Sequence, residues 1–207
     1  LSANPVLGDF TGSVNFAENT VNVTPQVIDA AVSLTDADSA NFAGGQISLF
    51  YIQGGSAEDQ LGVRNQGTGA GQIGVSGSNV SFGGAGNVIG SIAGGANGGN
   101  LTITLTANAT VDAVEALIQN LTYGNSSQAT QDTRTLGIRV SDGDGGVSAA
   151  SSVTIEVTRE VDGAPVVYGE EQVNTYTASN QEWPSVATLN DGSYVVTWQS
   201  NGQDGDW

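Results

Sequence analysis

The sequence predicts an all-β protein: a Greek-key, immunoglobulin-like β-sandwich carrying one short helix, followed by part of a second β unit. Three observations predict it. Short stretches of alternating apolar and polar residues recur along the first 158 positions. Turn-forming residues separate them, with 30 glycines among 207 residues. Gly and β-branched residues are poor helix formers, and the β-branched ones suit half-buried strands. Strands at this spacing, punctuated by Gly, Asn and Asp, argue for a sandwich.

In chain order, residues 4–8 (Asn-Pro-Val-Leu-Gly) read as a linker into the first strand. Strand-like stretches follow at 12–17, 26–34, 46–52, 59–65, 72–82, 87–93, 101–107, 134–141 and 150–158. In Leu101-Thr-Ile-Thr-Leu-Thr, Leu101, Ile103 and Leu105 face one way and the threonines the other. Val153, Ile155 and Val157 repeat that pattern. The stretch Thr110–Leu121 breaks it, placing Val111, Val114, Leu117, Ile118 and Leu121 at helical spacing. Thr110 is an N-cap residue type and Asp112 lies in the first turn, where the helix dipole favours it, so a short helix packs over one end of the sandwich. The Gly-rich run 67–99 reads as tight turns between short strands, with room for an added hairpin pair on one face.

The sandwich is expected over residues 1–163, a linker over 164–171 and a partial β unit over 172–207. The last contains Gln172–Thr177, Trp183–Leu189, an Asn190-Asp-Gly turn and Tyr194–Gln199, with Trp183, Tyr194 and Trp198 expected in its core. Leu1 without a preceding Met and the ending at Trp207 suggest a piece of something longer.

Charge excludes several functions. Twenty-one acidic residues face four arginines, with no Lys and no His, for a net charge of −17. Such a chain repels phosphate backbones and anionic membrane surfaces, so neither nucleic-acid binding nor membrane insertion is expected. There is no Cys for disulfides or thiolate sites and no His for general-base work. The run 67–99 has no phosphate-loop pattern. Nothing sets one carboxylate across a cleft from another, as glycoside hydrolysis requires, so no enzyme is expected.

The residues that carry chemistry are acidic. Asp36 and Asp38 end one strand two residues apart, so both project from one face toward a shared ion. Asp142 and Asp144 repeat the device in a Gly-rich turn. Four carboxylates with turn carbonyls can supply the six to eight oxygens that Ca²⁺ prefers. Asp also favours turns for local reasons alone, which leaves a purely structural reading open.

Order and spacing here resemble the cadherin repeat. Thr35-Asp-Ala-Asp-Ser-Ala-Asn41, then Ile47-Ser-Leu-Phe-Tyr-Ile, then Ile138-Arg-Val-Ser-Asp-Gly-Asp, then Val153–Val157 leading into Asp162-Gly-Ala-Pro165 follow its sequence of strands and acidic turns. Phe16-Ala-Glu18-Asn matches its acidic position after the first strand. Val63–Ile73 and Ala113–Tyr123 are similar to the cadherin-like repeats of large bacterial RTX-type adhesins exported by type I secretion. Residues 172–207 resemble another repeat of those proteins. The resemblance implies a calcium-stabilised extracellular spacer strung between neighbouring repeats of one polypeptide. Asp36, Asp38 and Asp142 fall on its calcium positions, and Glu18 and Asp162 on its junction positions. Arg159 stands where the family is acidic and Val161 where it carries Asn. The ion near Asp36 would be completed from around Asn4 or by a preceding domain. Two alternatives stay open: identical subunits assembling into an extracellular filament or matrix, and calcium-dependent binding of cell-surface glycans on Trp183, Trp198 or Tyr194.

Overall fold

The computed structural model describes residues 2–127, 133–159, 180–189 and 193–200. The chain divides into two compact units, Leu1–Asp162 and Gly163–Trp207. Strands of the first unit are β1 (Val6–Gly8), β2 (Ser13–Ala17), β3 (Gln26–Val27), β4 (Ser33–Thr35), β5 (Gln46–Gln53), β6 (Asp59–Val63) and β7 (Ile73–Ser76). They continue as β8 (Asn79–Phe82), β9 (Val88–Gly94), β10 (Leu101–Leu105), β11 (Leu121–Asn125), β12 (Thr133–Ser141) and β13 (Ser151–Thr158). Two helices, α1 (Glu18–Val23) and α2 (Val111–Ile118), interrupt them.

The expected all-β sandwich is what forms. One layer is an eight-stranded sheet in the order β2-β13-β12-β5-β10-β9-β8-β7, and the other comprises the β3-β11-β6 sheet and the β1-β4 pair. The run β13-β12-β5 matches the G-F-C order of immunoglobulin-type sandwiches. β1 pairs antiparallel with β4, after which the chain changes layer and β2 runs parallel to β13. Inward-facing Ile47, Leu49, Ile103, Leu136, Ile138 and Ile155 share one core with Leu34, Leu61, Leu121 and Tyr123 of the opposite layer. The Phe16 ring stacks on Tyr123 with centroids 6.4 Å apart, joining the layers again.

Several elements differ from the expectations. Residues 6–8 are a strand, not a linker, because β4 offers them a partner edge. The stretch 26–34 is two strands: the Asp29 carboxylate accepts the N–H groups of Ala31 and Thr11, and this turn separates β3 from β4. The stretch 72–82 is the hairpin β7–β8, turning at Gly77, whose φ of +59° favours glycine. The added hairpin extends the large sheet edgewise.

Helix α2 starts where expected, with Thr110 Oγ1 accepting the Ala113 N–H at 3.3 Å. It stops at Ile118, however, and Leu121 opens β11, the fully buried middle strand of the three-stranded sheet. The helix is tied to β4 and its approach by Glu115 Oε2, which accepts the Leu34 N–H, and by Gln119 Nε2, which donates to the Val32 carbonyl. Helix α1 was not expected. Six residues with no side-chain N-cap leave little local signal.

The second unit contains the antiparallel pair β14 (Gln181–Thr188) and β15 (Tyr194–Ser200). Trp183 is 77% exposed and Tyr194 56%, so neither forms the core expected of it. The expected strand at 172–177 and the turn at 190–192 lie outside the described residues. No helix among the described residues is long and apolar enough to cross a membrane.

The alternation along β10 is testable by urea unfolding. Ile103→Ala is expected to cost about 2–5 kcal/mol through the cavity it leaves, while exposed Thr104→Ala changes stability by less than about 0.5 kcal/mol.

Candidate metal centre

Two poles of the sandwich carry carboxylates, and their chemistry differs. At the first pole the turn after β4 meets the turn after β12, with the N-terminal segment between them. Asp36 Oδ1 accepts the N–H groups of Asp38 and Ser39, at 3.2 and 3.1 Å. Asp38 Oδ2 accepts the Ala3 N–H at 2.9 Å. Asp142 is buried; its Oδ1 accepts the N–H groups of Asp144 and Gly146 and its Oδ2 the Ser2 hydroxyl at 3.0 Å. Asn4 Oδ1 accepts the Val147 N–H. Residues 2–4 thus tie one acidic turn to the other.

The turn is tight because it is glycine-built. A Cβ on Gly146 would strike the Ala3 carbonyl and the Asp142 carboxylate. Burial pushes the Asp142 carboxyl up, but donors from Asp144, Ser2, Gly146 and Gly145 outweigh it and hold the group below the usual carboxylate range.

Of the residues read as ligands, Asp36, Asp38, Asp142 and Asp144 share this pole. Asp144 contributes its backbone N–H to Asp142, and its side chain is exposed. Asn41 instead caps its own turn, accepting the Ala43 N–H. Glu18 is fully buried at the start of α1, at the opposite pole, beyond the Ala17–Thr158 pair. Asp162 lies outside the described residues. Ser2 and Ala3, absent from the sequence reading, complete the constellation. Nothing in their residue types marks them.

Two atoms at this pole fit a cation. Asp36 Oδ2 and Ser39 Oγ are buried and have no hydrogen-bond partner. An orphaned carboxylate oxygen is costly unless a proton donor or ion meets it. Against this, no group of three or more acidic side chains close enough to hold a metal occurs among the described residues. An ion held here would draw on Asp36 and Asp38, with hydroxyl, carbonyl or water oxygens making up the rest.

The opposite pole holds a buried ion pair that sequence reading missed. Asp59 begins β6 and Arg134 lies near the start of β12, in different layers, with Arg134 Nε 3.0 Å from Asp59 Oδ1. Tyr123 Oη donates to the same oxygen at 2.6 Å and Asn125 Nδ2 at 2.7 Å, while the Ser56 N–H and hydroxyl donate to Oδ2. Both partners are buried, Asp59 at 0% exposure. Burial raises the Asp59 carboxyl, yet hydrogen bonds from Tyr123, Asn125, Ser56 and Arg134 bring it below its ordinary value. Tyr51 and Tyr123 are pushed far up, by burial first and then by the negative charge of Asp59 (for Tyr123, also by its hydrogen bond to that carboxylate), against the opposing Arg134.

Comparison with protein-family models, curated proteins and solved structures returned no match.

The depressed carboxyls fix the sign of the acid response. Their stabilisation is complete above the unfolded carboxylate value of about 3.9 and disappears as pH falls through the lower folded value. Urea unfolding from pH 7 to pH 2 is expected to show that loss. Asp59→Ala at pH 7, removing the buried carboxylate that Arg134, Tyr123 and Asn125 all meet, is expected to cost about 3–5 kcal/mol.

Proposed function

We propose that this chain is a non-enzymatic, calcium-stabilised spacer module of an extracellular bacterial protein, similar to the cadherin-like repeats of type I-secreted adhesins. The observation that carries the reading is polar. The chain enters through residues 2–4 at the pole of Asp38 and Asp142, and β13 leaves at the pole of Asp59. A domain with entry and exit at opposite ends suits a row of like domains, each presenting its acidic turns to the one before.

In this reading Asp36 and Asp38 hold the ion, assisted by Ser39. Asp142 holds the turn and the entering segment, since protein donors already meet both its oxygens. Calcium supplies positive charge where carboxylates crowd, fixing residues 2–4 and stiffening the approach of a preceding domain. The chain's net charge of −17 gathers cations there and keeps the exposed module soluble.

A second reading has its own observation. The β14–β15 hairpin exposes Trp183, Val186, Leu189 and Tyr194, a surface suited to pairing with identical subunits in a filament or matrix. Electron microscopy of the purified chain separates the two: monomeric rods support the spacer and helical fibres the subunit.

The calcium step has a direct test. Millimolar Ca²⁺ is expected to raise the melting temperature relative to excess chelator, and Asp36→Asn to abolish that rise. Asp142→Ala is expected to lower stability in chelator as well. A melting temperature indifferent to calcium in the wild-type chain overturns the ion.

A further inference from the structure

The outer face of the eight-stranded sheet, away from the core, has an unusual charge distribution for this chain. Leu136, Ile138 and Val140 of β12 point inward, so Arg139 and Ser141 point outward. Strand register extends that face across the sheet. Ser141 pairs with Gln46, Gln46 with Thr104, Thr104 with Ser91, Ser91 with Asn79 and Asn79 with Ser76. A parallel row runs from Arg139 through Ser48 and Thr102 to Ala93. The first row crosses six strands, roughly 24 Å at about 4.8 Å per strand. Neither row contains a carboxylate, in a chain with 21 acidic residues.

A depression of about 380 Å³ lies at the Arg139 end, lined by Gln46, Ser48, Phe50, Arg139, Ser141 and Val147. Arg139 is exposed and has no ion-pair partner among the described residues. The Phe50 ring lies across Gly137, where a Cβ would meet its Cζ at 2.5 Å, so this glycine lets an aromatic ring settle on the sheet in the depression that Arg139 also lines. A second depression, of about 340 Å³, occurs around Ser76, Asn79 and Ser81 at the far end of the same hydroxyl and amide row.

We infer that this face binds a glycan through a single carboxylated sugar, with Arg139 taking the carboxylate, Phe50 the apolar face of the ring, and Ser48, Ser141 and Gln46 its hydroxyls. The inference does not rest on the spacer reading or on calcium. The chemistry selects this ligand in three ways. A guanidinium holds a carboxylate through two parallel hydrogen bonds, a fit that an isolated cation in a neutral patch makes specific. The site lies in the middle of a sheet, where the backbone ladder is already paired, so a ligand must bond to side-chain hydroxyls and amides. Sugar hydroxyls do that, whereas an extended peptide seeks a free strand edge. The chain's net charge of −17 repels a polyanion but tolerates one negative group on an otherwise neutral ligand.

The full chain titrated with 3′-sialyllactose, lactose and hexaglutamate, followed by backbone amide NMR, tests this. Sialyllactose is expected to shift signals of β5, β10 and β12, with or without chelator, and lactose to bind at least tenfold more weakly. Arg139→Gln is expected to weaken sialyllactose at least tenfold at an unchanged melting temperature, and Phe50→Leu to weaken it while still covering Gly137. Absence of any shift with sialyllactose, equal binding of lactose, binding that survives Arg139→Gln, or tighter binding of hexaglutamate each overturns the inference.

Discussion

One buried carboxylate holds the two layers of this sandwich in register. Asp59 sits in the smaller layer and Arg134 in the larger, and the pair is surrounded by Tyr123, Asn125 and Ser56 so that each Asp59 oxygen meets several donors. A buried pair is no better than apolar packing when the whole arrangement is replaced, but it penalises any misalignment that separates the charges. Apolar side chains tolerate small slips between layers; this network does not. In a chain without disulfides, directional polar bonds of this kind define which face of β6 meets which end of β12.

The two poles show how one type of side chain answers different demands. Asp59 is neutralised by a cation. Asp142, equally hidden, is satisfied by amide and hydroxyl donors from its own turn and from the entering segment. Asp36 stands between these solutions, with one oxygen met by two N–H groups and the other by none. That asymmetry makes the first pole responsive to what surrounds it, whereas the second is closed.

Much of the fold was legible because burial in a sandwich imposes period two, and β5, β10, β12 and β13 carry that period plainly. The Asp pairs were legible for a similar reason, since alternation and turn chemistry locate them without coordinates. What escaped notice depends on contacts distant in sequence. Strands β1 and β11 owe their existence to partners far along the chain, and Leu121, spaced like a helical residue, is captured by a sheet instead. The Asp59–Arg134 pair spans 75 positions, and neither residue sits in a recognisable pattern. Ser2 and Ala3 are small residues whose roles are set by position alone.

The parallel pairing of β2 with β13 has a mechanical consequence. Five residue pairs, from Ser13–Thr154 to Ala17–Thr158, join the first strand of the large sheet to its last. Because both strands run the same way, tension applied at the two ends of the unit slides one along the other. All the bonds between them are then strained together, rather than peeled apart one at a time as in a hairpin pulled open at its ends. The geometry therefore makes this strand pairing resist tension along its own axis more than a pull across it.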